Sequence, residues 1–312
     1  MERVLIFGVS GFVGKYLCKE FINNGYEVIG SDKVQNNNIE KSIKFVVADL
    51  LNKDEVKDVI NRIRPNIVIN LAAISSVGIS WKNPQQTMQV NIIGALNILE
   101  ASRKSEFKPR ILFIGSSEEY MSKSYPIDEK SELNASNPYG ISKVTQENIA
   151  DLYRKEYGLK VFCVRAFNHT GVGQRDSFVL PSFCKQIVEI EKSGKDGVIR
   201  VGNLNVKRDF SHVKDIVRAY RMIVESDDCN IIYNVGSGKT YSLKEMIEYI
   251  ISKSKQKISI EVDKDRIRPN DEPVICCNHN LITTQLNWKP KYTVFDAIDE
   301  MIEYYRKCLG VY

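Results

Sequence analysis

Short apolar runs alternate with amphipathic segments through the first half of the chain. Runs with the length of a buried strand predict β-strands at residues 4–7, 27–31, 44–48, 66–71 and 110–115. Apolar positions recurring at helical spacing predict helices between them, at residues 15–24, 53–64 and 84–105. This alternation predicts repeated βαβ units, and therefore an α/β fold built on a Rossmann-type, doubly wound parallel sheet.

Beyond a further strand at residues 161–165, the alternation becomes less regular. Helices are predicted at residues 177–193, 213–225, 242–254, 278–286 and 294–307, and strands at residues 199–202, 231–235 and 258–262. We expect residues 1–165 to form the sheet domain. Residues 166–312 are expected to form mainly a smaller C-terminal lobe on the carboxyl edge of the sheet, with some segments returning to the sheet domain.

A glycine-rich turn follows the first predicted strand. Gly8, Gly11 and Gly14 are spaced three apart where the strand passes into a helix, so the backbone can turn tightly and approach a pyrophosphate at the helix N-terminus. Asp32 ends the second strand, where it can accept hydrogen bonds from ribose hydroxyls and would repel a 2′-phosphate. NAD(H) is therefore favoured as cofactor. Lys33 beside it weakens that preference, so NADP(H) is also compatible with the sequence.

The other predicted cofactor contacts lie at the carboxyl ends of strands, where ligands bind to such sheets. Ala72 and Ala73 are small enough to leave room for a flat ring. The full set predicted to bind the dinucleotide is Gly8, Ser10, Gly11, Phe12, Val13, Gly14, Asp32, Asp49, Leu50, Leu71, Ala72, Ala73, Tyr139 and Lys143.

A second motif carries the candidate chemistry. Pro138 is suited to the first turn of a helix, and Tyr139 and Lys143 then share one helical face. A neighbouring cation should lower the pKa of the phenol, making Tyr139 a proton donor or acceptor near neutral pH. Ser116 and Glu118 follow the strand at residues 110–115, so we expect them at the same site.

Composition narrows the class of protein. The 312 residues are 43% hydrophobic and 27% charged, as in an ordinary soluble globular protein, and the net charge of +5 is too modest to indicate a nucleic-acid partner. No apolar stretch is long enough to span a membrane. The seven cysteines lack CxxC spacing and the three histidines lie far apart, so we expect reduced thiols, no metal site and a cytoplasmic location.

Together, the glycine motif, Asp32, Asp49, Ser116 and the Tyr139–Lys143 pair resemble the extended short-chain dehydrogenase/reductase family over essentially the whole chain. Within its nucleotide-sugar branch, the similarity is greatest to the enzymes of GDP-linked sugars, both the reductases of GDP-4-keto-6-deoxy-D-mannose and the GDP-mannose 4,6-dehydratases. The stretches that carry this similarity are residues 114–120, 167–171, 183–191, 200–204, 208–210 and 268–274.

The resemblance implies roles for several residues. Ser116, Tyr139 and Lys143 would form the catalytic triad that reduces a C4 ketone to a GDP-deoxyhexose such as GDP-D-rhamnose. Tyr139 would protonate the oxygen, Ser116 would hydrogen-bond to it, and Lys143 would hold the nicotinamide ribose. The residues implied to bind a GDP-linked sugar are Ser75, Ser116, Asn168, Lys185, Arg208 and Arg268. The family also implies a homodimer formed through residues 84–105 and 138–157.

Three alternatives remain open on these residues. A 4,6-dehydratase would use Glu118 as the base that removes the C5 proton, and similar reductases carry the same glutamate. A nucleotide-sugar 4-epimerase would use the same triad without needing Glu118. A protein that senses NAD(P) without catalysis is the non-enzymatic alternative, although such proteins usually lose the tyrosine or the lysine.

Overall fold

The computed structural model describes residues 1–35, 43–121, 126–263 and 272–311. Its strands are β1 (Arg3–Phe7), β2 (Glu27–Asp32), β3 (Lys44–Val47), β4 (Ile67–Asn70), β5 (Arg110–Ser116), β6 (Val161–Ala166), β7 (His169–Thr170), β8 (Gly197–Val201), β9 (Lys207–Asp209), β10 (Ser211–His212), β11 (Tyr233–Val235), β12 (Thr240–Ser242), β13 (Ile258–Val262) and β14 (Val274–Ile275).

The helices complete the element list. They are α1 (Phe12–Asn23), α2 (Lys53–Ile63), α3 (Val77–Lys82), α4 (Pro84–Met88), α5 (Gly94–Lys104), α6 (Pro138–Tyr157), α7 (Val179–Ser193), α8 (Val213–Glu225), α9 (Leu243–Ser252), α10 (Asn280–Leu286) and α11 (Val294–Leu309). A π-helical segment, Gln89–Ile93, joins α4 to α5, and a single 3₁₀ turn, Ser117–Glu119, follows β5.

Seven parallel strands form the main sheet in the order β11-β6-β5-β4-β1-β2-β3. The strand order reverses between β1 and β4, and ligands of such sheets bind in the crevice at that point. This arrangement confirms the predicted α/β fold with a Rossmann-type, doubly wound sheet. Among the described residues of the C-terminal part, three smaller sheets are formed: β10-β7, β12-β9-β14 and β13-β8.

Each face of the main sheet is covered by helices. Successive strand residues point to opposite faces, and since both sets are apolar, both faces have to be buried. Val4 and Ile6 of β1 pack on the side of α1, α8 and α10, whereas Leu5 and Phe7 pack on the side of α2, α5 and α6. A separate apolar cluster joins α7, α9 and α11 to β8 and forms the core of the smaller lobe. The cluster of the lobe is separate from the two clusters of the sheet, and a crevice opens at the carboxyl edge of the sheet.

The sheet takes its seventh strand from the second half of the chain. β11 pairs in parallel with β6, and α8 packs against α1. Residues beyond 165 therefore contribute to both cores. The division at residue 165 into a sheet domain and a lobe stays a prediction.

The long helix predicted at residues 84–105 is confirmed in extent, because helical backbone runs without a break through α4, the π-helical segment and α5. The π-helical turn within it and the short α3 before it were not predicted. The side chain of Asn91, within the π-helical segment, bonds both the N–H and the C=O of Ile74, at 2.9 Å and 3.2 Å. A π-helical turn bulges from the regular helix, and here the bulge carries Asn91 to the loop after β4.

Two further observations concern the chain as a whole. All seven cysteines fall within the described ranges and are free thiols. Across those same ranges, no helix combines the length and the apolarity that crossing a membrane requires.

Candidate active site

A cleft of about 2480 Å³ opens at the carboxyl ends of the parallel strands, between the sheet and the smaller lobe. Both halves of the chain line it. The predicted cofactor and catalytic residues that line the cleft are Gly8, Ser10, Gly11, Phe12, Val13, Gly14, Asp32, Asp49, Leu50, Leu71, Ala72, Ala73, Ser116, Glu118, Tyr139 and Lys143. The structure thus brings this whole set together in one place, whereas their individual roles stay predictions.

The glycine turn forms one wall of the cleft. Gly8 has a φ of +76°, and a Cβ there would lie 2.5 Å from the backbone nitrogen of Ala72. A Cβ on Gly14 would collide with the backbone carbonyl of Val9. Gly8 therefore provides the sharp turn after β1, and Gly14 lets α1 pack closely on that turn.

Polar groups around this turn fit the dinucleotide that the motif implies. Asp32 ends β2 and accepts hydrogen bonds from the backbone N–H groups of Ser10, at 3.3 Å, and Lys33, at 2.8 Å. Its carboxylate is thereby held at the edge of the cleft. Within the described residues, the buried Oγ of Ser10 and Nδ2 of Asn70 have no hydrogen-bond partner, although both residues line the cleft.

Ser116 is held by a capping box at the end of β5. Its Oγ accepts a hydrogen bond from the N–H of Glu118 at 3.2 Å, and the Glu119 carboxylate accepts one from the N–H of Ser116 at 2.6 Å. This reciprocal pattern closes the 3₁₀ turn. Ser116 and Glu118 are consequently presented at the floor of the cleft.

Asn137 joins that turn to the helix that carries the tyrosine. Its side chain caps α6 by accepting from the N–H of Gly140 at 2.9 Å, and its Nδ2 donates to Glu118 at 2.8 Å. Gly140 packs against the backbone of Glu118 so closely that a Cβ would collide with it. The first turn of α6, with Tyr139, is thus fixed against Ser116. The sequence analysis gave Asn137 no role, although an asparagine just before a helical proline is a recognisable N-cap signal.

Tyr139 and Lys143 are both buried, and burial changes their acidity in opposite directions. Loss of solvation raises the pKa of Tyr139 above its usual value, while a hydrogen bond with Ser116 partly offsets the rise. Burial lowers the pKa of Lys143 to about 8. The Lys143 Nζ lies 5.8 Å from the centre of the Tyr139 ring and is 3.3 Å from Oε1 of Gln146. The expected lowering of the Tyr139 pKa is therefore wrong, because desolvation dominates and the negative charges of Glu119 and Glu118 add to the rise.

A charged network lies directly beneath these residues. Glu147 of α6 forms a two-point ion pair with Arg165 of β6, with Nε–Oε2 at 2.9 Å and Nη2–Oε1 at 2.5 Å. Glu119 is fully buried beside this pair, with its Oε2 at 3.9 Å from Arg165 Nε. Burial and the negative charge of Glu147 raise the pKa of Glu119 to about 8. Sequence analysis assigned no role to these three residues.

Asn91 completes the support of α6. Besides holding the loop at Ile74, its Nδ2 donates to the Oγ of Ser142 at 2.8 Å. Its backbone carbonyl accepts from Nε2 of Gln146 at 3.4 Å. One side chain therefore ties the loop after β4 to the helix of Tyr139 and Lys143.

Only some of the residues implied to bind the sugar nucleotide line the cleft. Ser75, Asn168 and Arg208 line the cleft. Lys185 of α7 is not itself a lining residue, but it forms an ion pair at 2.6 Å with Asp176, which lines the cleft. Arg268 lies outside the described residues. Arg175, which sequence analysis did not single out, also lines the cleft.

The sequence of the chain is similar to those of known proteins over most of its length. A family model described as GDP-mannose 4,6 dehydratase matches residues 5–301. The GDP-6-deoxy-D-mannose reductase of Pseudomonas aeruginosa is 29% identical over 300 residues, covering 95% of this chain and 95% of that protein.

Solved structures show the same similarity. The structure of RMD from Pseudomonas aeruginosa complexed with NADPH matches with a TM-score of 0.85 and 27% identity, over 99% of this chain and 100% of that one. The UDP-glucose 4-epimerase of Thermotoga maritima with UDP-glucose matches with a TM-score of 0.87 and 26% identity, over 98% of this chain and 99% of that one. The resemblance to known proteins therefore extends over nearly the full chain.

Proposed function

Because the chain belongs to the GDP-mannose 4,6-dehydratase family of extended short-chain dehydrogenases/reductases, NAD(P)-dependent enzymes that act on nucleotide sugars, we propose that it reduces the C4 ketone of GDP-4-keto-6-deoxymannose. The product would be a GDP-deoxyhexose such as GDP-D-rhamnose. Of the relatives reported above, the reductase has the highest sequence identity to this chain. Membership of this enzyme family leaves the non-catalytic, cofactor-sensing alternative without support.

One observation carries the reductase proposal: Tyr139 is buried at the cleft and hydrogen-bonded with Ser116, where its hydroxyl can donate a proton to a ketone oxygen. Reduction of a ketone needs a proton donor at the start of the reaction. Dehydration and epimerisation both begin by oxidising the C4 hydroxyl, which needs a proton acceptor there. A tyrosine whose pKa is raised by burial is suited to the first task.

The protein residues then have the following roles. A bound NAD(P)H supplies the hydride. Tyr139 donates its proton to the developing alkoxide, and Ser116 donates a hydrogen bond to the same oxygen. Lys143, charged below about pH 8, stabilises the tyrosinate that is left and holds the nicotinamide ribose. Asn137 keeps Glu118 in place at the side of the sugar.

We further propose that the substrate is GDP-linked and that Ser75, Asn168, Arg208 and Arg268 hold it. Arg208 is mostly buried in the cleft wall, where a guanidinium binds a diphosphate more strongly than at an exposed site. Arg175, exposed at the cleft, is a further candidate. Lys185 would have to leave Asp176 to take part.

Three finer points belong to the same proposal. NAD(H) is preferred over NADP(H) because the Asp32 carboxylate, at the end of β2, would repel a 2′-phosphate. The enzyme forms a homodimer through α6 and the helices before it, because Ile93, Ile141 and Leu152 expose apolar side chains on those helices. The division into a cofactor domain, residues 1–165, and a mainly substrate-binding lobe, residues 166–312, fits the two lining halves of the cleft.

The 4,6-dehydratase is the second candidate, because Glu118 lines the cleft beside Tyr139. The two reactions differ in their consumption of cofactor, so a product assay separates them. We would incubate the purified protein with GDP-mannose and NAD⁺ or NADP⁺, and separately with GDP-4-keto-6-deoxymannose and NADH or NADPH. The Tyr139→Phe variant is carried through both assays as the control for contaminating enzymes.

Cofactor oxidation with the keto sugar, and no reaction with GDP-mannose, is the expected result. Formation of a 4-keto sugar from GDP-mannose without net cofactor consumption would replace the reductase by the dehydratase, with Glu118 as its base. Interconversion of C4 epimers would identify an epimerase. No reaction with either GDP sugar would overturn the proposed substrate.

A further inference from the structure

Tyr220 is a buried phenol in the wall of the cleft that the reaction above does not use. It lies two turns into α8, is 1% exposed and lines the cleft. Helical side chains lean toward the N-terminus of their helix. The N-terminus of α8 follows β10, which pairs with β7 just beyond the carboxyl end of β6. The phenol of Tyr220 therefore extends toward the carboxyl edge of the sheet, where the active site lies.

The hydroxyl of Tyr220 is buried without a hydrogen-bond partner among the described residues. Other buried tyrosines have one: the Tyr233 hydroxyl donates to Oε1 of Gln285 at 2.7 Å, and the Tyr120 hydroxyl to Oδ1 of Asn234 at 2.7 Å. A buried polar group without a partner destabilises the folded chain, so phenylalanine would be the more stable residue at position 220. An unpaired hydroxyl in a cleft wall indicates a ligand that pairs with it.

The position of Tyr220 identifies which part of the cleft that ligand occupies. Tyr220 and Tyr139 line the same cleft, and the charge of an ionised Tyr139 would raise the pKa of Tyr220. Tyr139 marks the reacting end of the site under the proposed function, so the nicotinamide ring has to lie beside it. The carboxamide is the part of that ring that both donates and accepts hydrogen bonds, and a tyrosine hydroxyl can pair with it either way.

We propose that Tyr220 is a positioning residue for the cofactor, whose hydroxyl pairs with the carboxamide of the bound nicotinamide and orients the ring beside Tyr139. This inference depends on the proposed function only for the location of the nicotinamide ring. Its test uses ligands without a sugar substrate, so it is independent of which nucleotide sugar the enzyme reduces.

The test compares Tyr220→Phe with Tyr233→Phe, since both remove one hydroxyl from a buried tyrosine. Isothermal titration calorimetry would give the Kd for NADH and for ADP-ribose, which lacks the nicotinamide ring. Thermal unfolding without ligand would give Tm. For Tyr220→Phe we expect the Kd for NADH to rise roughly three- to tenfold, the loss of one hydrogen bond. Its Kd for ADP-ribose should not rise, and its Tm should not fall.

Tyr233→Phe should show the opposite pattern, a lower Tm with both Kd values unchanged, because its hydroxyl bonds within the protein. The proposal is overturned if Tyr220→Phe leaves the Kd for NADH unchanged. It is equally overturned if NADH and ADP-ribose weaken together, since the contact would then lie away from the nicotinamide. A fall in Tm as large as that of Tyr233→Phe would assign the hydroxyl a structural partner instead.

Discussion

Tyr139 and Lys143 lie on one face of α6, and both are buried at the floor of the cleft. Burial disfavours the charged form of each, so the phenol is held neutral and the ammonium loses its proton more easily. A neutral tyrosine beside a lysine that is still charged at neutral pH is the protonation state needed to donate a proton to a ketone. The burial of these two side chains is thus compatible with the proposed reduction.

The hydroxyl of Tyr139 should be needed for turnover and dispensable for binding. In Tyr139→Phe, we expect kcat to fall by roughly 10²- to 10⁴-fold, the usual contribution of a positioned acid. The Kd for NADH should stay within about threefold, because the phenol is not its main contact. Steady-state kinetics and calorimetry measure the two quantities. Equal activity in the variant would remove Tyr139 from the mechanism.

The pH dependence of kcat should reflect the ionisation of Lys143 and not that of Tyr139. Because the pKa of Lys143 is lowered to about 8, its charge is present below that pH and lost above it. We expect kcat to fall as pH rises through about 8, while Tyr139 keeps its proton. A kcat profile over roughly pH 6 to 10 tests this.

Glu119 titrates in the same range, since its pKa is raised to about 8, so Glu119→Gln is the control for that profile. Persistence of the fall in Glu119→Gln would assign it to Lys143, and its disappearance would assign it to Glu119. A fall centred near pH 10 would point to Tyr139 and contradict the expectation.

The carboxylate of Asp32 should set the choice of cofactor. Removing it in Asp32→Ala takes away the hydrogen-bond acceptor for the ribose and the repulsion of a 2′-phosphate. We expect the ratio of kcat/KM with NADPH to that with NADH to rise by at least about tenfold. Asp49→Ala, on the neighbouring part of the cleft, is the control. An unchanged ratio in Asp32→Ala would mean that the end of β2 does not contact the ribose.

Residues at the ends of strands and helices form the candidate active site. The 3₁₀ turn after β5 carries Ser116 and Glu118, the first turn of α6 carries Tyr139, and Asn137 bonds to both. The π-helical segment brings Asn91 to the opposite side of α6. A helix clamped at two points holds its side chains more rigidly than packing alone would, which a proton donor needs.

Asn137→Ala should affect both stability and chemistry. Loss of an N-cap lowers the free energy of unfolding by about 1 kcal/mol. We expect kcat to fall as well, by about tenfold or more, because Glu118 and the first turn of α6 lose their common support. Chemical denaturation and steady-state kinetics give the two values.

Thr293→Ala is the matched control, because Thr293 caps α11 in the smaller lobe by accepting from Asp296 N–H at 3.2 Å. It should lose similar stability with kcat unchanged. If Asn137→Ala behaved in the same way as Thr293→Ala, Asn137 would be a helix cap and nothing more.

At the scale of the whole molecule, the cleft exists because one core belongs to the sheet and another to α7, α9 and α11. Contacts between the two sides include the Tyr16 hydroxyl, which donates to the Val172 carbonyl at 2.9 Å. The outer surface of α6 lies away from the cleft and exposes Ile141 and Leu152. Apolar side chains that recur along an exposed helix suggest a surface covered by a second copy.

Leu152→Glu should disrupt the proposed homodimer. Leu152 is 52% exposed, so the change costs the monomer little, whereas a carboxylate buried at an interface is strongly unfavourable. We expect a shift from dimer to monomer in analytical ultracentrifugation. Val198→Glu is the control, because Val198 is 51% exposed on β8, far from α6 in the chain. A wild-type monomer, or dissociation caused equally by both variants, would contradict the proposed interface.

Local patterns were enough to predict most of this architecture. Buried parallel strands are continuous apolar runs and helices repeat every 3.6 residues, so the alternation and the strand ends could be read directly. The glycine motif, Asp32, Ser116 and the Tyr139–Lys143 pair could be placed because strand ends of one parallel sheet meet at one edge. The π-helical segment could not, because Asn91 bonds a loop that precedes it by seventeen residues.

The amino-acid sequence by itself determined the α/β class, the glycine turn and the set of residues gathered at the carboxyl edge of the sheet, since these depend on short-range periodicity and on where each strand ends. Tertiary structure decided the rest. It buried Tyr139 and reversed the expected change in its pKa, placed Glu119 beside the Arg165–Glu147 pair, and paired Lys185 with Asp176 at the cleft. Solvation and long-range contacts depend on which segments pack together, and that is a property of the folded chain.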